Sequence, residues 1–487
     1  MSVTELSDDR TPGPTAAPDG GRPARRPTPL VALLTRLHFY AGILVAPFLL
    51  VAALTGLAYT ITPQLDRALY GDKLTVATIG DQPTPLAAQI TAARAAHPDG
   101  TLTGVLPGTG EQTTQVVFAQ PDLGEKQHTV YVDPYTAEVK GQLTTWFGAT
   151  PATTWLDDLH RNLHLGDLGR HYSEIAASWL WVLVVGGIVL WWRRRASNRS
   201  RVRHLLVPDL SAGRGVRRTR GWHATTGVWL AVGLLFLSAT GLTWSRYAGD
   251  NFSAALGALN ASRPPLSTVL DGAPPATGGG EHQHGGPATG ADADPATYDR
   301  VLAVARDAGL AGPVEITPAE EPGSAWTVAQ TDDTWPVGRD RVAVDPAAGT
   351  ITARSDFADW PLLAQLSNLG IQAHMGLLFG PVNQILLAAL ALGLLCVIVW
   401  GYRMWWQRRP TRVDRRLPVG IPPVRGGVRG LPWWALLLGV PVTVAVGGAL
   451  PWFGVTLLGF LLVDVILGVV ARRRRDAVPV SPAATGG

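Results

Sequence analysis

Two long uncharged segments of the chain each carry a histidine close to their start. His38 lies in LHFYAGILVAPFLLVAALTGLAY, and His223 lies in RGWHATTGVWLAVGLLFLSATGLTW. When the two histidines are superimposed, the segments align without a gap. The matched residues include Gly42 with Gly227, Thr55 with Thr240, and Gly56 with Gly241. Because a histidine within an apolar segment is costly, its repeated placement indicates a repeated unit with a use for it.

Further histidines precede the next apolar segment in each half of the chain. The stretch TTWLDDLHRNLHLGDLGRHYSE contains His160, His164 and His171, and DWPLLAQLSNLGIQAHMGLLFGPVNQ contains His374. Matching His164-Leu-Gly to His374-Met-Gly aligns the two stretches and leaves His160 and His171 without counterparts. His160 lies on the same helix face as His164, so either of them could face His374.

Paired histidines on opposing helices suit the axial ligation of haem iron. Parallel repeats of two spans usually relate by a pseudo-two-fold axis along the membrane normal. Under that symmetry His38 faces His223 at one membrane surface, and His164 faces His374 at the other. Each neutral imidazole offers one nitrogen, and the flat macrocycle fills the space between helices. The matched glycines one turn after the first pair would give the ring room. The pattern therefore predicts two haem b groups, with His160 and His171 as reserve ligands.

Two simpler interpretations stay open. A histidine at the end of a membrane span is commonly an interfacial, hydrogen-bonded residue, and duplication alone could preserve four of them without a function.

A Gly/Pro-rich linker also contains Glu281, His282 and His284, which are a weak candidate for metal binding. Mobile loops rarely preorganise such a site.

Composition indicates a polytopic α-helical membrane protein. Of 487 residues, 46% are hydrophobic, and long uncharged runs alternate with charged blocks. The single cysteine, Cys396, excludes an intrachain disulfide and a multi-cysteine iron–sulfur cluster. Basic runs interleaved with aromatic residues are missing from the sequence, which argues against a nucleic-acid partner.

The apolar runs predict six spans: two repeated units of two spans, followed by a C-terminal hairpin of two. The predicted spans are 31–62, 175–195, 221–246, 382–406, 432–450 and 452–471. The predicted intervening segments are a disordered tail 1–30, an outside domain 63–155, a lead-in 156–174, a basic loop 196–220, an outside domain 247–358 with a linker 262–295, a lead-in 359–381, a basic loop 407–431 and a tail 472–487.

Arginine-rich clusters follow the second, fourth and sixth predicted spans, and they all fall on one side of the membrane. The positive-inside rule makes that side cytoplasmic and places both termini there. The abundance of Ala, Gly, Pro and Arg is typical of GC-rich bacteria. We therefore expect a multi-pass protein of the bacterial cytoplasmic membrane.

The two outside segments predict small α+β domains. Each has an Ala-rich, helix-like piece followed by alternating, strand-like residues. Each ends in a related pattern, VYVDPYTAEVKG or VAVDPAAGTITA, in which an Asp-Pro turn joins two strands.

These motifs together resemble the PepSY-associated transmembrane family of iron-regulated membrane proteins. The resemblance rests on the repeated LHxxxG–TG span, LHRNLHLGxxG, the VYVDPYTAEVKG hairpin and YRMWWQRR, over about residues 31–409. It implies PepSY domains outside the membrane and a role in siderophore-iron uptake, since some members are haem-containing siderophore reductases. The ligand positions that it implies are His38, His164, His223 and His374. The sequence departs from the family at Ala137, where glycine is usual, and in the added C-terminal hairpin.

Two functions follow as hypotheses. The first is haem-b-dependent electron transfer that reduces ferric iron, held by a siderophore or another ferric chelate, at the outer face of the membrane. A dinucleotide fingerprint is missing from the sequence, so the electrons would come from quinol or a cytoplasmic donor. The alternative is a non-enzymatic, membrane-anchored binding or regulatory protein whose PepSY domains hold a ligand or restrain a protease. A siderophore permease fits less well, because the spans carry few mid-membrane polar groups.

Overall fold

The computed structural model describes residues 28–196, 207–208, 213, 215–270, 293–408 and 431–476. The predicted tail up to residue 27, most of the two basic loops, and the linker residues Glu281, His282 and His284 lie outside the described residues.

Helices make up most of the described chain, and eight strands form one sheet. The helices are α1 Pro29–Leu44, α2 Ala46–Tyr59, α3 Thr62–Leu74, α4 Leu86–Ala96, α5 Pro151–Asn162, α6 Gly166–Ala196, α7 Val216–Thr243, α8 Arg246–Ala258, α9 Ala296–Asp307, α10 Leu362–Met375, α11 Pro381–Gln407, α12 Trp433–Ala449 and α13 Pro451–Asp476. The strands are β1 Thr101–Leu106, β2 Thr114–Ala119, β3 Gln127–Val132, β4 Val139–Thr145, β5 Val314–Thr317, β6 Trp326–Gln330, β7 Arg341–Asp345 and β8 Thr350–Ser355.

Four of the described helices are long and apolar enough to cross a membrane: α6, α7, α11 and α13. A fifth candidate span is the pair α1 and α2, which is bent by 56°. These helices confirm a polytopic membrane protein; with the bent pair they number five, and the remaining predicted span, 432–450, corresponds to the shorter apolar helix α12. At 1.5 Å per residue, α12 reaches about 25 Å, less than the roughly 30 Å of a bilayer core.

Pro47 causes the break between α1 and α2. Pro47 in the first turn of α2 lacks an N–H, so the carbonyl of Ile43 loses the helical donor it would otherwise have. The hydroxyl of Tyr402 on α11 donates to that carbonyl instead, at 3.0 Å. In the aligned second half Val232 stands where the first half has Pro47, and α7 continues unbroken.

The spans pack as one bundle in which helices of the first half of the chain contact helices of the second half. α6 packs against α7 and against α1 and α2, while α11 packs against α7 and α2. A bond of 2.7 Å from the hydroxyl of Ser238 to the carbonyl of Ala177 joins α7 to α6 inside this bundle. Lead-in 156–174 is divided between α5 and the first turns of α6, which run directly into the span.

The two predicted outside domains form a single sheet domain, which corrects the expectation of two separate units. The strand order is β4-β3-β2-β1-β5-β6-β7-β8, so the halves join through antiparallel β1 and β5, with Val105 opposite Ile316. α4 and α9 pack on the sheet and on each other, and one hydrophobic core contains residues of both halves. The carboxylate of Asp299 on α9 also accepts the backbone N–H groups of Leu86 and Ala87 at the start of α4.

Both predicted Asp-Pro hairpins are confirmed and close in the same way. Asp133 between β3 and β4, and Asp345 between β7 and β8, each accept backbone N–H bonds within the turn. The residue four positions later is left-handed in both turns: Ala137 with φ 58° and Gly349 with φ 66°. Alanine therefore takes the strained position that glycine occupies in the second hairpin.

Exchanging these two residue types should change stability in opposite directions. We expect Gly349→Ala to destabilise the β7–β8 hairpin by about 1 kcal/mol, because a side chain in the left-handed region costs roughly that much. Ala137→Gly should stabilise the β3–β4 hairpin by less than about 1 kcal/mol, since glycine loses more backbone entropy on folding. Native-state amide hydrogen exchange across each hairpin measures both effects. Equal signs for the two substitutions would contradict this account.

Candidate functional site

His38 on α1 and His223 on α7 face each other at the end of the bundle far from the sheet, and we call them the sheet-distal pair. Their ring centroids lie 6.4 Å apart at an interplanar angle of 82°. Nδ1 of His223 lies 2.9 Å from the carbonyl oxygen of Val397 on α11. Because a carbonyl only accepts, Nδ1 must donate and Nε2 keeps its lone pair. Nδ1 of His38 faces the backbone of Leu183 on α6 without a hydrogen bond of regular geometry.

Glycines on α6 and α11 let these two rings approach the helices. A Cβ at Gly187 would lie 3.3 Å from Cε1 of His38, and a Cβ at Gly401 would lie 3.7 Å from Cε1 of His223. Each glycine follows by four residues the backbone group that Nδ1 faces, at Leu183 or Val397. The two halves of the chain therefore seat their histidines in the same way.

A second pair, His160 on α5 and His374 on α10, lies at the end of the bundle next to the sheet, and we call it the sheet-proximal pair. Nδ1 of His160 lies 2.8 Å from the hydroxyl of Thr55, and Nδ1 of His374 lies 2.6 Å from that of Thr240. Each hydroxyl donates its proton, at 2.8 Å, to the carbonyl four residues earlier in its own helix. With the hydroxyl proton on that carbonyl, the imidazole donates from Nδ1, which again leaves the lone pair on Nε2.

This geometry corrects the alignment of the lead-in segments. The Thr-Gly dipeptides that match in the two repeats contact His160 and His374: a Cβ at Gly56 would lie 3.1 Å from Cε1 of His160, and one at Gly241 would lie 3.7 Å from Cε1 of His374. His160 is therefore the structural counterpart of His374, and the pairing of His164 with His374 is wrong.

The other two histidines of the first lead-in lie elsewhere. His164 is exposed beyond the end of α5, and its ring packs against Trp155 at 4.9 Å. His171 faces the C-terminal hairpin, where its Nδ1 accepts a bond of 3.0 Å from Nε1 of Trp452. That bond selects the opposite tautomer from the one assigned to His160, His223 and His374.

Burial keeps the sheet-proximal pair uncharged. It lowers the pKa of His160 to about 4, and it also lowers the pKa of His374 to about 4, where the nearby His160 adds to the effect. Both imidazoles are therefore neutral at pH 7, the form that offers a nitrogen lone pair to a metal.

The four histidines fit the ligand set of two haems. Imidazoles that bind one metal from opposite sides, each nitrogen at about 2 Å, hold their centroids about 6 Å apart, which is close to the separation of the sheet-distal pair. One turn from that pair, a Cβ added at Gly42 or Gly227 would meet no atom of a neighbouring helix within 4 Å among the described residues. Thr240 follows His223 by almost five turns, which separates the two pairs by about 25 Å along α7.

A cavity of about 780 Å³ lies where α3 meets the join between the two halves of the sheet. Its lining includes Arg67 on α3, Glu111 after β1, Val314 on β5 and Asp332 after β6. Arg67 and Glu111 form an ion pair of 3.0 Å. Small-molecule sites have volumes of about 300–1,000 Å³. α3 follows α2, whose Thr55 holds His160, so the cavity lies on the sheet side of the sheet-proximal pair.

The tautomer assignment is directly testable. Nitrogen-15 magnetic resonance of histidine-labelled, haem-free protein should detect protonated Nδ1 and unprotonated Nε2 at His160, His223 and His374. Thr55→Val removes the acceptor, so His160 alone should shift toward a mixture of tautomers. Thr60→Val, which deletes a hydroxyl that bonds only within its own helix, should leave the signals unchanged. Protonated Nε2 at His160 or His374 in the unmodified protein would refute the assignment.

Comparison with known proteins places this chain in a family. The family model described as the PepSY-associated TM region matches residues 35–408. No curated protein matches the chain. The matched region contains both histidine pairs and the whole sheet domain, and it ends before α12 and α13. The chain therefore belongs to the PepSY-associated transmembrane family, as its motifs predicted.

Proposed function

We propose that this protein is a di-haem electron-transfer protein that reduces ferric iron, bound by a siderophore or another chelate, at the outer face of the bacterial cytoplasmic membrane. The observation that carries the proposal is the pair of histidines at each end of one helical bundle, with the two rings of the sheet-distal pair 6.4 Å apart. In three of the four rings a hydrogen bond from Nδ1 leaves the Nε2 lone pair available for a metal.

His38 and His223 would hold one haem, and His160 and His374 the other. When bound, these groups supply reversible one-electron transfer. The residues around them do the positioning. Bonds to Nδ1 orient metal-binding imidazoles and raise their basicity, which is the task of Thr55, of Thr240 and of the Val397 carbonyl. The apolar helices keep water from the rings.

The position of the sheet domain gives the substrate a place to bind. In the proposed orientation the arginine-rich loops face the cytoplasm, so the sheet and its cavity lie outside. A ferric chelate in the cavity would be next to the sheet-proximal pair. One electron converts Fe(III) to Fe(II), and the lower charge weakens attraction to anionic oxygen donors, which releases the iron. The electron would come from quinol or from a cytoplasmic donor.

The cavity also favours a second candidate function. A membrane-anchored binding or regulatory protein would use the cavity for a ligand and would not need the histidine pairs. Such a protein would keep its ligand affinity when His38 and His223 are both replaced by alanine. The proposed reductase would instead lose electron transfer while still binding the chelate.

Single histidine variants test the proposed pairing. Purified protein should give b-type bands in reduced-minus-oxidised spectra. His160→Ala and His374→Ala should each remove the same haem, whereas His38→Ala and His223→Ala should each remove the other, because each pair shares one metal. His164→Ala is the matched control and should retain both haems. An unmodified protein without b-type bands would disprove the proposal, and loss of a haem in His164→Ala but not in His160→Ala would disprove the pairing.

Electron transfer to iron needs its own measurement. Protein reduced with dithionite and freed of the reductant should convert a ferric trihydroxamate to Fe(II), which a ferrous-specific dye detects. His374→Ala should abolish this conversion, because it removes the haem beside the cavity. His164→Ala should react at the unmodified rate. Equal rates for His374→Ala and the unmodified protein would contradict a role for the sheet-proximal pair.

A further inference from the structure

The C-terminal hairpin of α12 and α13 lies outside the matched family region, yet it is joined to the bundle at three levels. Nε1 of Trp452 donates to His171, and Nε1 of Trp179 donates at 2.8 Å to the hydroxyl of Thr456. In the middle of α13, Asp464 forms an ion pair with Arg36 of α1. The hairpin thus contacts α1 and α6 of the first half, and its Gly448 and Ala449 carbonyls also accept bonds from Asn251 on α8 of the second half.

The ion pair holds one face of α1. Arg36 is 3% exposed, and charged groups inside an apolar bundle are stable only when paired. The Arg36 guanidinium also lies 5.4 Å from the ring of Tyr40, which contacts Phe460 of α13 at 5.7 Å. Arg36 precedes His38 by two residues, a helix rotation of about 200°. One face of α1 therefore contacts the hairpin while the opposite face carries His38.

α1 needs a contact that fixes its orientation, because the helix is interrupted after Leu44. α7 runs unbroken from His223 to Thr240, so contacts along the whole helix fix the direction of His223. α1 ends at Leu44 and meets α2 at an angle of 56°, so the packing of α2 does not fix the rotation of α1. The Arg36–Asp464 ion pair fixes the rotation of α1, which α2 cannot fix because of the break between the two helices.

The arginine, histidine and tryptophan that contact the hairpin have no counterparts in the half without the break. In the alignment of the two halves Gly221 replaces Arg36. The matching of Leu183 with Val397 places Ile385 at the position of His171 and Gly393 at that of Trp179. The half with the unbroken α7 thus carries no equivalent of these polar or aromatic groups.

We propose that the C-terminal hairpin is a clamp that positions α1, and that the Arg36–Asp464 ion pair is the positioning contact that directs His38 toward His223. Through His38 the clamp sets the environment of the sheet-distal haem alone. This inference rests on the proposed function for its spectroscopic consequence, but the orientation of α1 can be measured without haem.

Asp464→Asn tests the clamp, because it leaves Arg36 without its carboxylate. We expect haem affinity at the sheet-distal pair to fall by about 10-fold or more, as for other losses of supporting contacts at metal sites. The midpoint potential and low-spin electron paramagnetic resonance signal of the remaining sheet-distal haem should shift, while the sheet-proximal haem stays unchanged. The reversed pair, Arg36→Asp with Asp464→Arg, should restore both values. Thr443→Val, which deletes a hydroxyl that bonds only within α12, is the matched control and should behave as the unmodified protein.

Label distances separate failure of the clamp from failure of the haem assignment. In a Cys396→Ser background, nitroxides at the exposed positions 30 on α1 and 399 on α11 report the orientation of α1 in haem-free protein. Asp464→Asn should broaden this distance distribution, and the reversed pair should narrow it again. An unchanged distribution in Asp464→Asn would overturn the clamp, as would equal changes at both haems or no rescue by the reversed pair. Absence of haem from the unmodified protein would overturn the proposed function and leave the label distances to decide the clamp.

Discussion

A hydrogen bond on Nδ1 of the imidazole is the constraint on which the site depends. A neutral histidine has one ring proton, and whichever nitrogen carries it cannot bind a metal. The hydroxyls of Thr55 and Thr240 lie 2.8 Å from helix carbonyls, and with their protons there they accept from the ring. The carbonyl of Val397 has the same effect on His223. Three different helices thereby impose one tautomer, with the lone pair on Nε2.

The remainder of the fold holds the helices that impose this constraint. Antiparallel pairing of β1 with β5 joins the two halves beyond the bundle, and shared packing of α6, α7, α2 and α11 joins them within it. The weak point of the bundle is the break at Pro47, where Tyr402 supplies the missing donor and the C-terminal hairpin supports α1. The two halves therefore have the same arrangement of helices and histidines. The first half, whose span is broken at Pro47, is supported in addition by the C-terminal hairpin.

Features set by local pattern could be predicted from the sequence, whereas features set by distant contacts could not. The gapless repeat located His38 and His223, and the Asp-Pro turns located both strand hairpins. From the sequence alone His160 is only a reserve ligand, because a local match of His-Leu-Gly to His-Met-Gly favours His164. The better signal was the repeated Thr-Gly dipeptide, whose partner histidine is visible only in three dimensions. The joining of two predicted domains into one sheet likewise depends on a single pair of edge strands with no local signature.

The central claim is that four histidines bind two haems, one pair at each end of the bundle. The most direct measurement combines the haem content per chain of purified protein, from the pyridine haemochrome spectrum, with low-temperature electron paramagnetic resonance. The proposed arrangement predicts two haems b per chain, both with low-spin signals of bis-histidine ligation. A haem-free protein, or one with a single haem per chain, would contradict it.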